Sequence, residues 1–84
     1  LNKGLITNLP ADACVEVMCV ADRNGITPTW FGDLPPQCAA LTRTNANVHE
    51  LTIEAALTRR KDHIYQAALL DPHTSAELTI DEII

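Results

Sequence analysis

Glycine and proline divide this 84-residue chain into two parts that must fold differently. All three glycines and four of the five prolines lie in the first 36 residues. The segment Gln37–Leu70 contains neither residue and is rich in alanine and leucine. Because glycine and proline interrupt helices and mark turns, the distribution predicts strands and turns first and long helices afterwards. The predicted fold class is therefore α+β.

A β-hairpin is predicted over about residues Ala13–Phe31. The segment Cys14–Ala21 has strand composition and is followed by turn residues. We place the turn at Asn24-Gly25, because this dipeptide supplies the positive φ angles of a type I′ turn. Pro28 lacks an amide proton, so the returning strand is predicted to lie at a sheet edge. The hairpin should lack packing partners, leaving an apolar face exposed or covered by another copy.

Two helices are predicted over about residues 36–58 and 60–70, because apolar residues recur there at helical spacings. Pro35-Pro36 is suited to a first helical turn, and the poor helix formers Asn45-Ala46-Asn47 predict a kink or break. The repeating apolar residues are Leu41, Val48, Leu51, Ala55, Leu57, Ile64 and Ala68.

Three further signals mark the ends of helices. Arg59-Arg60-Lys61-Asp62 is a second soft point, between the two helices. Asp71-Pro72 should end the second helix, because the residue before proline is driven out of the α region. Thr79-Ile80-Asp81-Glu82 has the pattern of a capping box that opens a final short helix.

Composition excludes several classes of protein. A hydrophobic content of 46% is too high for a disordered tail. A net charge of −5 argues against nucleic acid as a partner, since binding to phosphate backbones requires an excess of Lys and Arg. No apolar run approaches the roughly 20 residues of a membrane-spanning helix, so no membrane partner is expected. The chain opens on Leu1 without a leader, and we expect it to be a piece of a longer cytoplasmic protein.

The cysteines and histidines do not form a predicted metal site. Cys14 and Cys19 lie five residues apart on a strand, so their side chains diverge. His49 and His63 are separated by roughly 21 Å of helical rise. Cys38 and His73 have no ligand partner at a short spacing, and His73 is placed in a turn. We interpret the three cysteines as reduced thiols buried like small hydrophobic residues.

No catalytic motif is present either, so the sequence assigns no catalytic, cofactor-binding or metal residue. Glu50 and Glu54 could be paired carboxylates but are typical of a solvated helix face. Arg59-Arg60-Lys61 could hold a phosphate group, and we interpret it as solvated. Trp30-Phe31 could stack on a sugar, but adjacent strand residues point opposite ways, so at most one belongs to the core.

A series of strings runs through the chain in order: Asn2–Pro10, Val15–Val17, Asn24–Pro28, Gly32–Gln37, Ala39–Leu41, Glu50–Ala56 and Ala67–Pro72. Together they resemble the C-terminal region of glycoside hydrolase family 4. One departure is Met18, which stands where the family commonly has proline. Within the family, Ala55–Arg59 and Asp71–Leu78 are most similar to bacterial α-galactosidases of the melibiase type.

The resemblance implies a partial C-terminal domain, residues 1–84, of a lactate/malate-dehydrogenase-like enzyme whose N-terminal Rossmann domain is absent here. It implies an NAD- and manganese-dependent hydrolysis of α-galactosides such as melibiose, the exception to two-carboxylate catalysis. Oxidation at the sugar's C3 acidifies the C2 proton, and elimination, water addition and re-reduction follow. The metal acts as a Lewis acid.

In the family, the nucleotide loop, the metal ligands and the tyrosine base precede the region that this chain resembles. Tyr65 matches no base motif, so no catalytic residue is carried over. The 84 residues alone should therefore be inert, and a homo-oligomer is expected for the enzyme. Two alternatives stay open: an α-glucosidase or 6-phospho-glycosidase of the same family, and a non-enzymatic helical oligomerisation module.

Overall fold

The computed structural model describes all 84 residues and contains two strands and four helices. The elements are β1 (Cys19–Asp22), β2 (Gly25–Pro28), α1 (Pro36–Thr58), α2 (Lys61–Leu70), α3 (Pro72–Glu77) and α4 (Ile80–Ile83). The chain divides into two compact units, Leu1–Ala39 and Ala40–Ile84. A hairpin followed by helices confirms the predicted α+β class.

The hairpin is shorter than predicted and turns one residue earlier. Asp22 pairs with Gly25, which leaves Arg23-Asn24 as the two-residue loop. Neither loop residue has a positive φ, whereas Gly25 has a φ of 106°. The Asp22 carboxylate accepts a hydrogen bond of 2.8 Å from the Asn24 amide, which stabilises a turn of ordinary φ. The type I′ prediction at Asn24-Gly25 is therefore wrong.

The segment before β1 is held by the N terminus instead of extending the hairpin. The Asn2 amide donates to the Ala13 carbonyl at 2.8 Å, and the Lys3 amide donates to the Ala11 carbonyl at 2.8 Å. Met18 adds one further hairpin bond, since its carbonyl accepts from the Thr29 amide at 2.9 Å. The carbonyls of Ala11 and Ala13 are thus bonded to the N terminus, and strand β1 begins only at Cys19, later than predicted.

Helix α1 begins at Pro36 and ends at Thr58, as the sequence predicts, but it does not break in the middle. The Asn45 side chain donates to the Leu41 carbonyl at 3.3 Å, and the Thr44 hydroxyl donates to the Ala40 carbonyl at 2.9 Å. These side chains bond to carbonyls one turn back in the same helix, an arrangement in which the helix continues without a break. The predicted break at Asn45-Ala46-Asn47 is wrong.

The junction of α1 and α2 is where the sequence predicts a soft point. Arg59 has a left-handed φ of 59°, and its amide donates to the Ala55 carbonyl at 2.9 Å. Arg60 is extended and precedes α2. A residue with a Cβ carries strain in the left-handed region that glycine does not. Arg59 is therefore a strained end of α1.

Replacing Arg59 with glycine is expected to stabilise the chain by about 0.5–1 kcal/mol, because glycine adopts this φ without steric cost. Thermal unfolding followed by circular dichroism checks this. Arg60→Gly is the matched control: Arg60 has a φ of −85°, so glycine there relieves no strain. No rise in melting temperature for Arg59→Gly, or an equal rise for Arg60→Gly, would contradict the account.

Two short helices follow, of which the sequence predicts only the second. Asp71 ends α2 and also caps α3, with Pro72 as the first helical residue. His73, predicted in a turn, lies in α3 because a proline at this first position begins a new helix. The capping box at α4 is confirmed, with reciprocal bonds between Thr79 and Glu82. Hydrogen bonds from the Thr79 amide and hydroxyl lower the pKa of the Glu82 carboxyl.

The cap of α3 gives a pH-dependent prediction. The Asp71 carboxylate accepts from the Thr74 hydroxyl at 2.6 Å and the Thr74 amide at 2.9 Å, which lowers the Asp71 pKa. The ionised cap therefore stabilises α3 above about pH 4, and this stabilisation is lost as the pH falls through the lower folded pKa. Amide chemical shifts of α3 should titrate accordingly. Asp71→Asn keeps a cap but should abolish this titration.

Buried apolar residues are few, and large apolar side chains are widely exposed. Ile6 and Leu9 are buried in the first unit, and Ala46 and Ala67 in the second. Every residue of β1 and β2 is exposed, in agreement with the predicted open apolar face. Of the predicted helical apolar residues, three stay more than half exposed: Leu41, Leu57 and Ile64. Neither unit, as it stands, covers its apolar surface.

Candidate functional site

The most tightly organised part of the chain is the N-terminal loop, which we call the Asn2 loop (residues 1–13). Asn2 is fully buried, and its side-chain amide donates to the carbonyls of Ile6 (2.8 Å), Leu9 (3.1 Å) and Pro10 (3.0 Å). Its side-chain oxygen accepts from the Ile6 amide at 2.8 Å. One side chain thus replaces the regular backbone pairing that this loop lacks.

The Asn2 loop is bound to the segment that follows β2. The Leu5 carbonyl accepts from the amides of Phe31 (2.8 Å) and Gly32 (3.0 Å), and the Thr7 amide donates to the Gly32 carbonyl at 3.0 Å. The Asn8 side chain bonds both the amide and the carbonyl of Leu34, each at 2.9 Å. These contacts fix the loop against residues 31–34.

Two polar side chains lie exposed on this bound loop. The Thr7 hydroxyl donates to the Asp33 carboxylate, and Asn8 lies one residue further along the chain. The arrangement can present a hydroxyl, a carboxylate and an amide at one surface. None of these groups is buried, so the surface can contact a polar partner but carries no desolvated acid or base.

Trp30 packs on the backbone of Gly32. Gly32 is buried and has a φ of 94°, and a Cβ built there would lie 2.9 Å from a carbon of the Trp30 ring. Glycine is required both by φ and by the close approach of the ring. Trp30 and Phe31 are 70% and 55% exposed, so neither belongs to the core.

The residues of this chain do not converge on a metal centre. No group of three or more His, Cys, Asp or Glu side chains converges anywhere in the chain. Glu50 lies 3.6 Å from Arg43 in an ion pair, and the His63 ring nitrogen lies 3.2 Å from the Gln66 side-chain oxygen.

The remaining candidate residues are solvated in the structure. Arg60 pairs with Asp62, and the hydrogen bond from the guanidinium lowers the pKa of that carboxyl. Glu54 and Tyr65 are exposed, Tyr65 by 42%. No helix combines the length and the apolar character needed to cross a bilayer.

The prediction of buried thiols is wrong for all three cysteines. Cys14, Cys19 and Cys38 are free and exposed. Cys19 lies on the hairpin and Cys14 lies before it, and nothing in the first unit covers the hairpin. Cys38 lies in the first turn of α1. Burial of a small apolar side chain needs a neighbouring layer, and the first unit provides none there.

The sequence did not identify Asn2, Gly32 or Trp30 as structurally important. A signal for the loop was present, since an asparagine, a glycine, a second asparagine and a proline fall within residues 2–10, which is turn composition. Nothing local indicates that Asn2 is the residue whose side chain turns inward, because its acceptors lie four to eight residues further along the chain.

Comparisons with known proteins identify the family. Residues 1–74 match the description "Family 4 glycosyl hydrolase C-terminal domain". The chain therefore belongs to glycoside hydrolase family 4, which confirms the resemblance seen in the sequence. No solved structure matches the chain.

Three curated relatives align with nearly the whole chain. An α-galactosidase of Bacillus subtilis (strain 168) is 66% identical over 84 residues, which are 100% of this chain and 19% of that protein. An α-galactosidase of Rhizobium meliloti (strain 1021) is 40% identical, over 98% of this chain and 17% of its own length. An α-glucosidase of Erwinia rhapontici is 32% identical, over 99% of this chain and 18% of its own length. The chain thus spans about a fifth of the length of these relatives.

Proposed function

We propose that these 84 residues are part of the C-terminal domain of an α-galactosidase that hydrolyses α-galactosides such as melibiose. The observation that carries the proposal is the 66% identity to the Bacillus subtilis α-galactosidase over the whole chain. The Rhizobium meliloti relative, at 40%, has the same name, while the α-glucosidase is more distant at 32%. We call the proposed longer enzyme the full-length protein.

The proposal includes dependence on NAD and a divalent metal, usually manganese, bound by residues outside this chain. It is supported by the chain's membership of glycoside hydrolase family 4. The full-length protein is further proposed to have a dehydrogenase-like architecture, to act in the cytoplasm and to be a homo-oligomer. The 84 residues alone should bind neither cofactor and hydrolyse no galactoside.

The contribution of this chain to the enzyme is structural in the proposal. The Asn2 loop and residues 31–34 form a fixed surface with Thr7, Asn8 and Asp33 exposed on it. Exposed apolar side chains on β1, β2 and the helices provide surface for packing against other parts of the enzyme. Chemistry on the sugar is assigned to residues elsewhere.

The test is an activity assay with NAD and manganese supplied separately, together and not at all. The full-length protein should release nitrophenol from a nitrophenyl α-galactoside only when NAD and manganese are both supplied, under reducing conditions. It should also exchange the sugar's C2 hydrogen with solvent during turnover. Cleavage without cofactors, or turnover without C2 exchange, would contradict the proposed chemistry.

Substrate panels distinguish the alternatives. Cleavage restricted to α-glucosides or to phosphorylated sugars would assign the full-length protein to a different specificity within the family. The α-glucosidase alternative is favoured by the Erwinia rhapontici relative, which is 32% identical to this chain. A protein without any glycosidase activity that associates through these helices would support the oligomerisation module instead.

A further inference from the structure

The two outer edges of the β1–β2 hairpin are not equivalent. In an antiparallel pair, opposed residues alternate between pairs that bond to each other and pairs whose backbone groups point outward. The Met18–Thr29 pair is bonded across the hairpin, since the Thr29 amide donates to the Met18 carbonyl at 2.9 Å. Counting along the register from this pair shows which residues face outward.

The outward-facing pairs are Cys19–Pro28 and Ala21–Ile26. On β2, Pro28 has no amide proton, so one of the two outward positions lacks a donor. On β1, Cys19 and Ala21 each present both an amide and a carbonyl. The outer edge of β1 therefore has every donor and acceptor needed to pair with another strand. The outer edge of β2 lacks one donor, and we call it the blunted edge.

The same four residues form one apolar face of the hairpin. Opposed residues direct their side chains to the same side of a sheet, so Cys19, Ala21, Ile26 and Pro28 share a face that carries no polar side chain. All are exposed, Ile26 by 76%. A two-stranded hairpin with an uncovered apolar face is marginally stable by itself. The complete outer edge points to a missing strand beside β1, and the uncovered face points to a missing layer across the hairpin.

We propose that the outer edge of β1 pairs with a third strand, supplied by the same polypeptide from outside residues 1–84. The inference rests on the proposed function, because it requires a longer protein. The Bacillus subtilis relative has 81% of its length outside the aligned segment (100 − 19), which is ample to provide a strand.

A strand from a second copy is a weaker candidate for this edge. β1 is four residues long and has two outward-facing residues, so edge pairing alone buries far less than the roughly 1,000 Å² that a stable interface between chains requires. A strand tethered in the same chain needs no such area, because tethering raises its effective concentration. The short edge therefore favours an intramolecular partner.

The test is residue-resolved hydrogen exchange in the full-length protein. The amides of Cys19 and Ala21 should exchange at least about 100-fold more slowly than that of Ile26, which points outward on the blunted edge. Equal exchange at Ala21 and Ile26, or greater protection of Ile26, would overturn the proposal. Protection of Ala21 that disappears on dilution would overturn it in favour of a second copy.

Matched proline substitutions give a second readout. Neither Ala21→Pro nor Ile26→Pro removes a bond between β1 and β2, because both amides face outward. Only Ala21→Pro should lower the melting temperature of the full-length protein and speed the exchange of the Cys19 amide. Equal effects of the two substitutions would contradict the proposal. Both readouts are independent of substrate, so a failed activity assignment would leave them interpretable.

Discussion

Replacing Asn2 with alanine is expected to lower the free energy of unfolding by about 3 kcal/mol. The substitution removes four hydrogen bonds of 2.8–3.1 Å that the fully buried Asn2 side chain makes. The Leu9 carbonyl and the Ile6 amide are left without a partner, whereas the Ile6 and Pro10 carbonyls keep backbone bonds of 3.4 and 3.2 Å. Each lost bond costs about 1 kcal/mol, and buried groups left without partners cost more. Denaturant unfolding of the full-length protein measures the change, with exchange of the Ile6 amide as the local readout.

The matched control is Asn8→Ala. Asn8 also bonds two backbone groups, those of Leu34, but it is exposed, so water replaces the lost partners and the cost should stay below about 1 kcal/mol. Asn2→Asp should be at least as damaging as Asn2→Ala, because a carboxylate cannot donate to the three carbonyls. Similar losses at Asn2 and Asn8 would show that the loop is not organised by Asn2.

Replacing Gly32 with alanine is expected to destabilise the full-length protein by about 2–4 kcal/mol, through two separate causes. A φ of 94° is strained for any residue with a Cβ, and the new methyl group would lie 2.9 Å from the Trp30 ring. Trp30 is the single tryptophan of this chain. Thermal unfolding of the full-length protein measures the loss of stability.

Two other glycines separate these causes. Gly4→Ala and Gly25→Ala, at φ of 85° and 106° with no atom within 4 Å of the added Cβ, introduce φ strain without a clash. They should each cost about 1–2 kcal/mol, less than Gly32→Ala. In a double-mutant cycle, Trp30→Ala should recover the difference. An equal cost at all three glycines would contradict the packing of Trp30 on Gly32.

The helical part of the fold could be predicted from sequence because its determinants are local. Pro36 at the first turn and the glycine-free, proline-free run set the bounds of α1. The capping box at Thr79 and Glu82 set the start of α4. The break predicted at Asn45 failed because propensity alone does not show whether a polar side chain bonds within its own helix.

The hairpin and the Asn2 loop could be predicted only in part, because contacts distant in sequence determine them. The turn residues of Asp22–Gly25 were recognised, but the Asp22 carboxylate selects the turn type. The bonds of Ala11 and Ala13 to the N terminus join residues about ten positions apart, and no local pattern indicates them. The exposed thiols depend on neighbours that composition does not reveal.

The central claim is that this chain serves as part of the C-terminal domain of an α-galactosidase, and a chimera tests it most directly. The 84 residues replace the aligned segment of the Bacillus subtilis α-galactosidase, which is 66% identical. Side-chain differences of this extent are tolerated when volume and pattern are kept, so kcat/KM on a nitrophenyl α-galactoside should stay within about tenfold of the parent enzyme. The NAD and manganese requirement should be unchanged. A chimera that folds and assembles like the parent but does not cleave the α-galactoside would contradict the account.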